Sequence, residues 1–285
     1  MSADDYELID SGSGRKLERF GRYVVARPCA QALWRQNLPA HQWARADASF
    51  DRADGNRWNG RSNLPKEWNA KIADIVFRLS GTDFGHLGIF PEQRAQWRWI
   101  RNTVGSFCAR GRKVSVLNLF AYSGGSTMAA ALGGAEVCHL DASKGMVEWA
   151  RANAALNGLG AHLIRWIVDD AHVFMRREVR RGRRYDAIIL DPPTFGRGAK
   201  GEMYKIERDL EETLSLVKSL LSDSPLFVLF SSHTPGLSVH VSENIISQAF
   251  GPKKISSGEM LLEGSGYSCP SGVYCRAIFN DNIAS

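Results

Sequence analysis

No run in this 285-residue sequence approaches the roughly eighteen consecutive apolar residues of a bilayer-crossing helix, which excludes a helical membrane span. The opening MSADDYELID lacks the basic start and apolar stretch of a secretory leader. Cysteine is sparse. The five thiols, at Cys29, Cys108, Cys138, Cys269 and Cys275, are scattered, and the spacing of the only near pair, Cys269 and Cys275, suits no common metal motif. We therefore expect a reduced, cytoplasmic protein with no membrane association and no metal, structural zinc included.

What is present is enough apolar material, 44% of residues, for one large core and a small satellite. The formal net charge of +6 favours a polyanionic partner but also suits an ordinary soluble surface. It is unevenly spread. Arg176, Arg177, Arg180, Arg181, Arg183 and Arg184 form a dense block, readable either as the solvated end of a helix or as a phosphate-binding patch.

Residues 1–70 differ in texture from the rest. Short runs such as Tyr23–Ala26 are broken by Pro28, and Trp34, Trp43, Trp58 and Trp68 fall among polar residues. We expect a small β-rich region with the tryptophans packed inward, rather than displayed as stacking platforms for bases. Asp51–Lys66 reads as containing a loop. Residues 71–110 read as a linker and a helix, with Pro91 near its first turn and Trp97, Ile100, Val104 and Phe107 on one face.

Residues 111–285 alternate between short apolar runs and helical stripes. Strands are expected at Val114–Phe120, Glu136–Leu140, Leu163–Val168, Ala187–Leu190 and Leu226–Phe230. Helices are expected at Ser126–Leu132, from Ala171 into the arginine block, along Leu210, Leu214, Val217 and Leu221, and at Val241–Ala249 with Ile245 and Ile246 inward. Between the second and third strands, Met146, Trp149, Ala150 and Leu156 mark the inner face of a helix that stops at Asn157–Gly158. Glu259–Leu262 and Val273–Phe279 flank a Gly, Ser and Pro-rich turn, which predicts an antiparallel hairpin at the sheet edge. The sum is an α/β fold with a mostly parallel, doubly wound sheet.

The segment Asn118-Leu119-Phe120-Ala121-Tyr122-Ser123-Gly124-Gly125 lies between the first strand and the first helix. Its glycines let the backbone approach a ligand, and N–H groups at the helix start can meet a carboxylate or phosphate. Asp141 closes the second strand, where a carboxylate can accept both ribose hydroxyls of an adenosine. Asp169-Asp170 ends the third strand, placed to contact adenine. The three-glycine dinucleotide pattern is absent, so a pyrophosphate has no close turn to sit on, whereas a methionine tail needs less. The fourth strand delivers Asp191-Pro192-Pro193-Thr194-Phe195-Gly196, two prolines fixing the turn. There Asp191 can accept a hydrogen bond or proton near a transferred group, with Pro192 offering a carbonyl and Phe195 a stacking face. His233 is a candidate to orient substrate, and His86, bracketed by glycines in Ser80–Gly88, a candidate substrate-side residue.

These motifs, with GIFPEQR, VDDA and FSSH, resemble the class I S-adenosylmethionine-dependent methyltransferases. More narrowly, they resemble the bacterial group that modifies 23S ribosomal RNA at cytosine C5 or guanine N7, from about Gly88 to Phe279. The resemblance implies a seven-stranded sheet and S-adenosyl-L-methionine as cofactor. It places Asp141 on the ribose, Asp170 near adenine, and Asn118, Tyr122 and Gly124 around the methionine end. It also implies that Gln93 closes over the cofactor, beside Glu92 and Arg94. Relatives that methylate cytosine C5 carry a nucleophilic cysteine after the fifth strand. The position resembling it here is Ser232, a poor nucleophile for that chemistry. The larger relatives also often begin with an RNA-binding module that residues 1–70 do not resemble.

The favoured expectation is methyl transfer to a base nitrogen in ribosomal or other structured RNA. Arg176, Arg177, Arg180 and Arg181, with His86, Phe195, Ser232 and His233, would lie on the substrate side. A methyltransferase acting on a protein or small molecule, and a non-catalytic RNA-binding or assembly factor that binds the same cofactor, remain as alternatives. Nicotinamide chemistry is more distant.

Overall fold

A computed structural model describes residues 4–52, 55–160, 164–197, 201 and 203–283; Leu163 of the expected third strand, and residues 53–54 of the expected loop, lie outside them. The chain forms two compact units, Met1–Arg94 with Met260–Ser271, and Ala95–Glu259 with Gly272–Ser285.

In the first unit β1 (Tyr6–Gly12), β2 (Arg15–Phe20), β3 (Tyr23–Pro28), β4 (Ala48–Asp51) and β5 (Arg57–Asn59) lie side by side in chain order, with the short helix α1 (Ala40–Trp43) before β4. Neighbours are antiparallel except β3 and β4. Beyond residue 70 the β structure continues. β6 (Trp68–Ile72) and β7 (Ile75–Leu79) form a hairpin over Ala73 and Asp74, both left-handed, and Ile75, Phe77 and Leu79 alternate inward.

The tryptophans are tethered from within. Their indole N–H groups donate to Ser11 O (Trp34, 2.9 Å), Asp10 Oδ2 (Trp43, 3.0 Å), Thr82 O (Trp58, 2.7 Å) and Phe20 O (Trp68, 3.3 Å). Glu18 is fully buried on β2, where strand periodicity alone would tolerate only an apolar side chain. It is held by Arg27 (Nη2 to Oε2, 2.7 Å), Lys16 (3.2 Å) and the Tyr6 hydroxyl (3.1 Å). Segment 260–271 completes this unit: Leu8 bridges Gly264, and Cys29 Sγ lies 2.9 Å from Cys269 Sγ. The close thiol pair thus joins residues 240 apart in sequence, not the neighbours Cys269 and Cys275.

The second unit opens with α2 (Arg94–Cys108), preceded by the turn Pro91–Gln93; Trp97, Ile100, Val104 and Phe107 are buried as their spacing predicts. There follow β8 (Ser115–Leu119), α3 (Gly125–Leu132), β9 (Glu136–Asp141), α4 (Lys144–Leu156), β10 (Ile164–Val168), α5 (Ala171–Arg180) and β11 (Ala187–Leu190). A two-stranded ribbon, β12 (Phe195–Arg197) with β13 (Met203–Lys205), leads to α6 (Ile206–Ser219), β14 (Phe227–Ser232), α7 (Val239–Phe250), β15 (Lys254–Leu262) and β16 (Cys269–Ile278). The sheet order is β10-β9-β8-β11-β14-β16-β15, seven strands. Its first five strands are parallel and β16 runs antiparallel to β14. The fold class is therefore the expected doubly wound α/β sheet with a C-terminal antiparallel pair. Strand order reverses at β8, so the crevice between the carboxyl ends of β8 and β11 is the switch point where such sheets bind ligands.

One helix face is phased differently from its apolar pattern. In α4 the buried residues are Val147, Ala150, Asn153 and Ala154, while Leu156 is 40% exposed. Polar Asn153 takes an inner position because its amide donates to Ser123 O (2.9 Å), securing the loop after β8. Beneath that loop lies a buried polar chain. Asn118 Nδ2 donates to Thr127 Oγ1 (2.9 Å), and the same hydroxyl meets His139 Nδ1 (2.9 Å). The His139 ring lies tilted against the Trp166 ring (centroids 4.8 Å). Burial, helped by Arg151, lowers the His139 pKa to about 3.

In the unfolded chain the imidazole takes up a proton near pH 6.5, whereas the folded one refuses it until about pH 3. His139 thus favours folding fully above pH 6.5, and that advantage is lost as pH falls from there towards 3. Urea unfolding between pH 6 and 4.5 should show wild-type stability falling more steeply than His139→Asn by roughly 1 kcal/mol per pH unit. Equal slopes would contradict the buried neutral imidazole.

Candidate cofactor and methyl-transfer site

The loop after β8 is strained and tied down. Phe120 and Tyr122 have φ of 54° and 50°, a region costly for side-chain-bearing residues, and Gly124 has φ 90°. Two bonds to β9 hold it there: Ala121 N–H to Leu140 O (3.0 Å) and Tyr122 N–H to Asp141 Oδ2 (2.8 Å). The Phe120 ring also tilts against Tyr204 at 5.2 Å.

Packing also requires the glycines of this loop. A Cβ on Gly124 would fall 2.7 Å from Met128 Cε and 3.1 Å from Ala150 Cβ; one on Gly125 would fall 2.5 Å from the Trp97 indole. At Gly124 the helix α3 begins without a side-chain cap, leaving first-turn N–H groups suited to an anion.

Asp141, half-buried, has both carboxylate oxygens fixed by backbone, Oδ1 by Ser143 N–H (2.8 Å) and Oδ2 by Tyr122 N–H (2.8 Å). Each oxygen retains a lone pair, so the group is an acceptor of set orientation. Burial raises its pKa and those two N–H donors oppose the rise. Asp170 caps α5, its Oδ1 accepting from Val173 N–H (2.9 Å), while Asp169 pairs with Arg177. Asn118 lies under the loop in the polar chain already described. A set acceptor pair at the end of β9 beside an uncapped helix start at the end of β8 suits a nucleoside that carries a carboxylated tail.

Across the switch point, Asp191 follows β11 and His233 follows β14, with His233 Nδ1 3.5 Å from Asp191 Oδ1. Thr194 and Thr234 join the same two turns through their hydroxyls (2.8 Å). Phe195 opens β12 and is 50% exposed. Ser232 is buried at the end of β14, its hydroxyl accepting the Thr234 N–H (3.1 Å). Pro192 is buried between Asp191 and Pro193.

The arginine block is largely paired: Arg176 with Glu212, Arg177 with Asp169, and Arg181 with the buried Glu178 (3.3 Å), which also holds Arg165 (2.9 Å) and Tyr185 (2.6 Å). Burial alone would raise the Glu178 pKa, but those hydrogen bonds bring it below the usual range. These carboxylates are why the block reads more basic on paper than in the fold. Arg180, exposed, follows on the same helix. His86 and Gln93 belong to the first unit; Gln93 is buried in the turn before α2. Among the described residues no group of His, Cys, Asp and Glu is arranged to hold a metal, and no helix is long and apolar enough to cross a membrane.

Sheet order, strained loop and strand-end carboxylate together define a nucleoside-cofactor-binding α/β domain. A family model described as S-adenosylmethionine-dependent methyltransferase matches residues 36–227. The crystal structure of a SAM-dependent methyltransferase from Agrobacterium tumefaciens is 37% identical with a TM-score of 0.91, over 98% of this chain and 92% of that one. The chain belongs to the S-adenosylmethionine-dependent methyltransferase family, and S-adenosylmethionine is its cofactor. Among curated sequences, the ribosomal RNA large subunit methyltransferase K of Neisseria meningitidis serogroup B is 33% identical over 172 residues. The ribosomal RNA large subunit methyltransferase K/L of Shewanella frigidimarina is 34% identical over 169. These matches cover 59% and 56% of this chain but 45% and 21% of the relatives, so the chain spans less than half the length of either.

Because Asp141 is both an acceptor and the clamp on Tyr122, Asp141→Ala should weaken S-adenosylmethionine binding by about ten- to a hundredfold, the loss expected for hydrogen bonds to a charged group. Calorimetric titration with the cofactor and with its demethylated product checks this; an unchanged dissociation constant would remove Asp141 from the site.

Proposed function

We propose that this protein methylates a base nitrogen in ribosomal RNA, with guanine N7 as the favoured acceptor. The observation that carries the reading is the Asp191–His233 pair at the ends of adjacent strands, across the switch point from Asp141. The substrates named for the two ribosomal relatives support it, as does the net charge of +6.

When bound, S-adenosylmethionine supplies a methyl group activated as a sulfonium. A ring nitrogen attacks with its own lone pair, so the protein needs to align the base and exclude water rather than remove a proton first. Asp191 faces the positive charge that grows on the base, and His233 orients the carboxylate. Phe195 offers a flat apolar face to a base withdrawn from its stack. Asp141 would hold the cofactor's ribose, Asp170 would meet its adenine, and Asn118, Tyr122 and Gly124 would hold its methionine end. The substrate's phosphates would meet the exposed parts of Arg176, Arg177, Arg180 and Arg181.

Cytosine C5 chemistry is disfavoured because it needs a nucleophile at C6. The Ser232 hydroxyl is engaged by Thr234, and Cys275 is buried within the β14–β16 pairing with its thiol pushed up to about 12 by burial.

A labelled-methyl assay on unmodified ribosomal RNA should find Asp191→Ala slowed by about a hundred- to a thousandfold, with cofactor binding kept within about threefold. Unchanged turnover would strip Asp191 of its role. Label that survives ribonuclease would redirect the activity to a protein substrate.

A further inference from the structure

The loop Ser80–Gly88 takes no part in the site above, yet its shape is closely determined. Thr82 closes a tight turn on His86 through three bonds: Thr82 N–H to His86 O (2.9 Å), His86 N–H to Thr82 Oγ1 (3.1 Å), and Thr82 Oγ1 to His86 O (3.0 Å). Arg27 Nη1 donates to Gly85 O (3.1 Å). Gly85 has φ 78°, and a Cβ there would fall 2.4 Å from the Phe50 ring, so the turn has a single available shape. That shape holds the Phe84 ring 71% exposed. A large apolar side chain held outward forgoes most of the stabilisation that burial would give it.

Phe84 and His86 line a cavity of about 130 Å³ together with Lys16, Arg27, Arg52 and Glu92, all in the first unit. Glu18, which bonds both Arg27 and Lys16, and the lining carboxylate of Glu92 offset two of the three cations, leaving the cavity one positive charge in excess. Arg52 forms no ion pair with another described residue. Burial first, then the Arg27 and Arg52 charges, lower the His86 pKa to about 4, so its imidazole is neutral and can both donate and accept. The cavity suits a phosphate better than a whole nucleotide, and the exposed ring suits a base.

We propose that this is a docking site for one nucleotide of single-stranded RNA, with the phosphate against Arg52, Lys16 and His86 and the base stacked on Phe84. It rests on the reading that RNA is the substrate and names a recognition residue set in the N-terminal unit. Charge complementarity selects RNA as occupant: an overall positive protein presents a basic cavity beside an exposed aromatic face, the combination that binds single strands without reading sequence.

The test uses the full chain and a fluorescein-labelled single-stranded oligoribonucleotide, read by anisotropy over a salt series. Phe84→Ala should weaken binding about tenfold, and Phe84→Trp should keep it. Arg52→Ala should lower the slope of log affinity against log salt by about 0.7, the change expected when one phosphate is no longer neutralised. Cofactor binding, measured on the same samples, should be unchanged in all three variants. Wild-type affinity and slope in both alanine variants would overturn the site, as would preferential binding of a polyglutamate peptide. If the wild-type protein methylates no RNA but Phe84→Ala still weakens oligonucleotide binding, the substrate reading fails and the docking site stands. If RNA is methylated with the same KM in every variant and binding is unmoved, the docking site fails and the substrate reading stands.

Discussion

The hydrogen bond from Tyr122 N–H to Asp141 Oδ2 is the constraint on which the cofactor end of the molecule depends. Phe120 and Tyr122 each hold a backbone conformation costing about 1–3 kcal/mol, and such a loop persists only if its surroundings over-determine it. The surroundings do so from three directions: β9 grips it through Leu140 and Asp141, α4 through Asn153, and α2 by laying Trp97 where a side chain on Gly125 would stand. The same carboxylate is thereby turned and fixed before any ligand arrives. Preorganisation of the cofactor site and stability of the loop are one arrangement, so they cannot be altered separately.

Across the sheet a second arrangement is assembled more loosely. Asp191 and His233 sit on turns that the Thr194–Thr234 hydroxyl contact also joins, and both side chains remain partly open to solvent. Adjacent parallel strands bring their ends to the same level, which makes two turns 40 residues apart into neighbours.

Much of the fold was legible because strands covered on both faces read as uninterrupted apolar runs, as Ala187–Leu190 does. Asp141 and Asp191 were legible for the same reason, being the first acidic residues after such runs. What escaped was decided by partners on neighbouring elements, which the pattern of a single element does not show. Glu18 and Glu178 look like surface charges until Arg27, Lys16 and Arg165 are folded around them, and Arg177 looks free until Asp169 meets it. Asn153 displaced the apolar phase of α4 because its hydrogen bond to Ser123 outweighs an apolar contact there. The glycines of the loop were legible, but local sequence cannot reveal that Trp97 and Met128 also claim the space beside them.

The N-terminal unit is discontinuous. Gly264 lies against Leu8, and Cys269 against Cys29, so the sheet that begins at Tyr6 is finished by residues made some 250 positions later. During synthesis the first seven strands therefore emerge before the segment that completes their unit, which follows most of the second unit out of the ribosome. The amino-terminal unit has its full set of residues only once residue 271 has been translated.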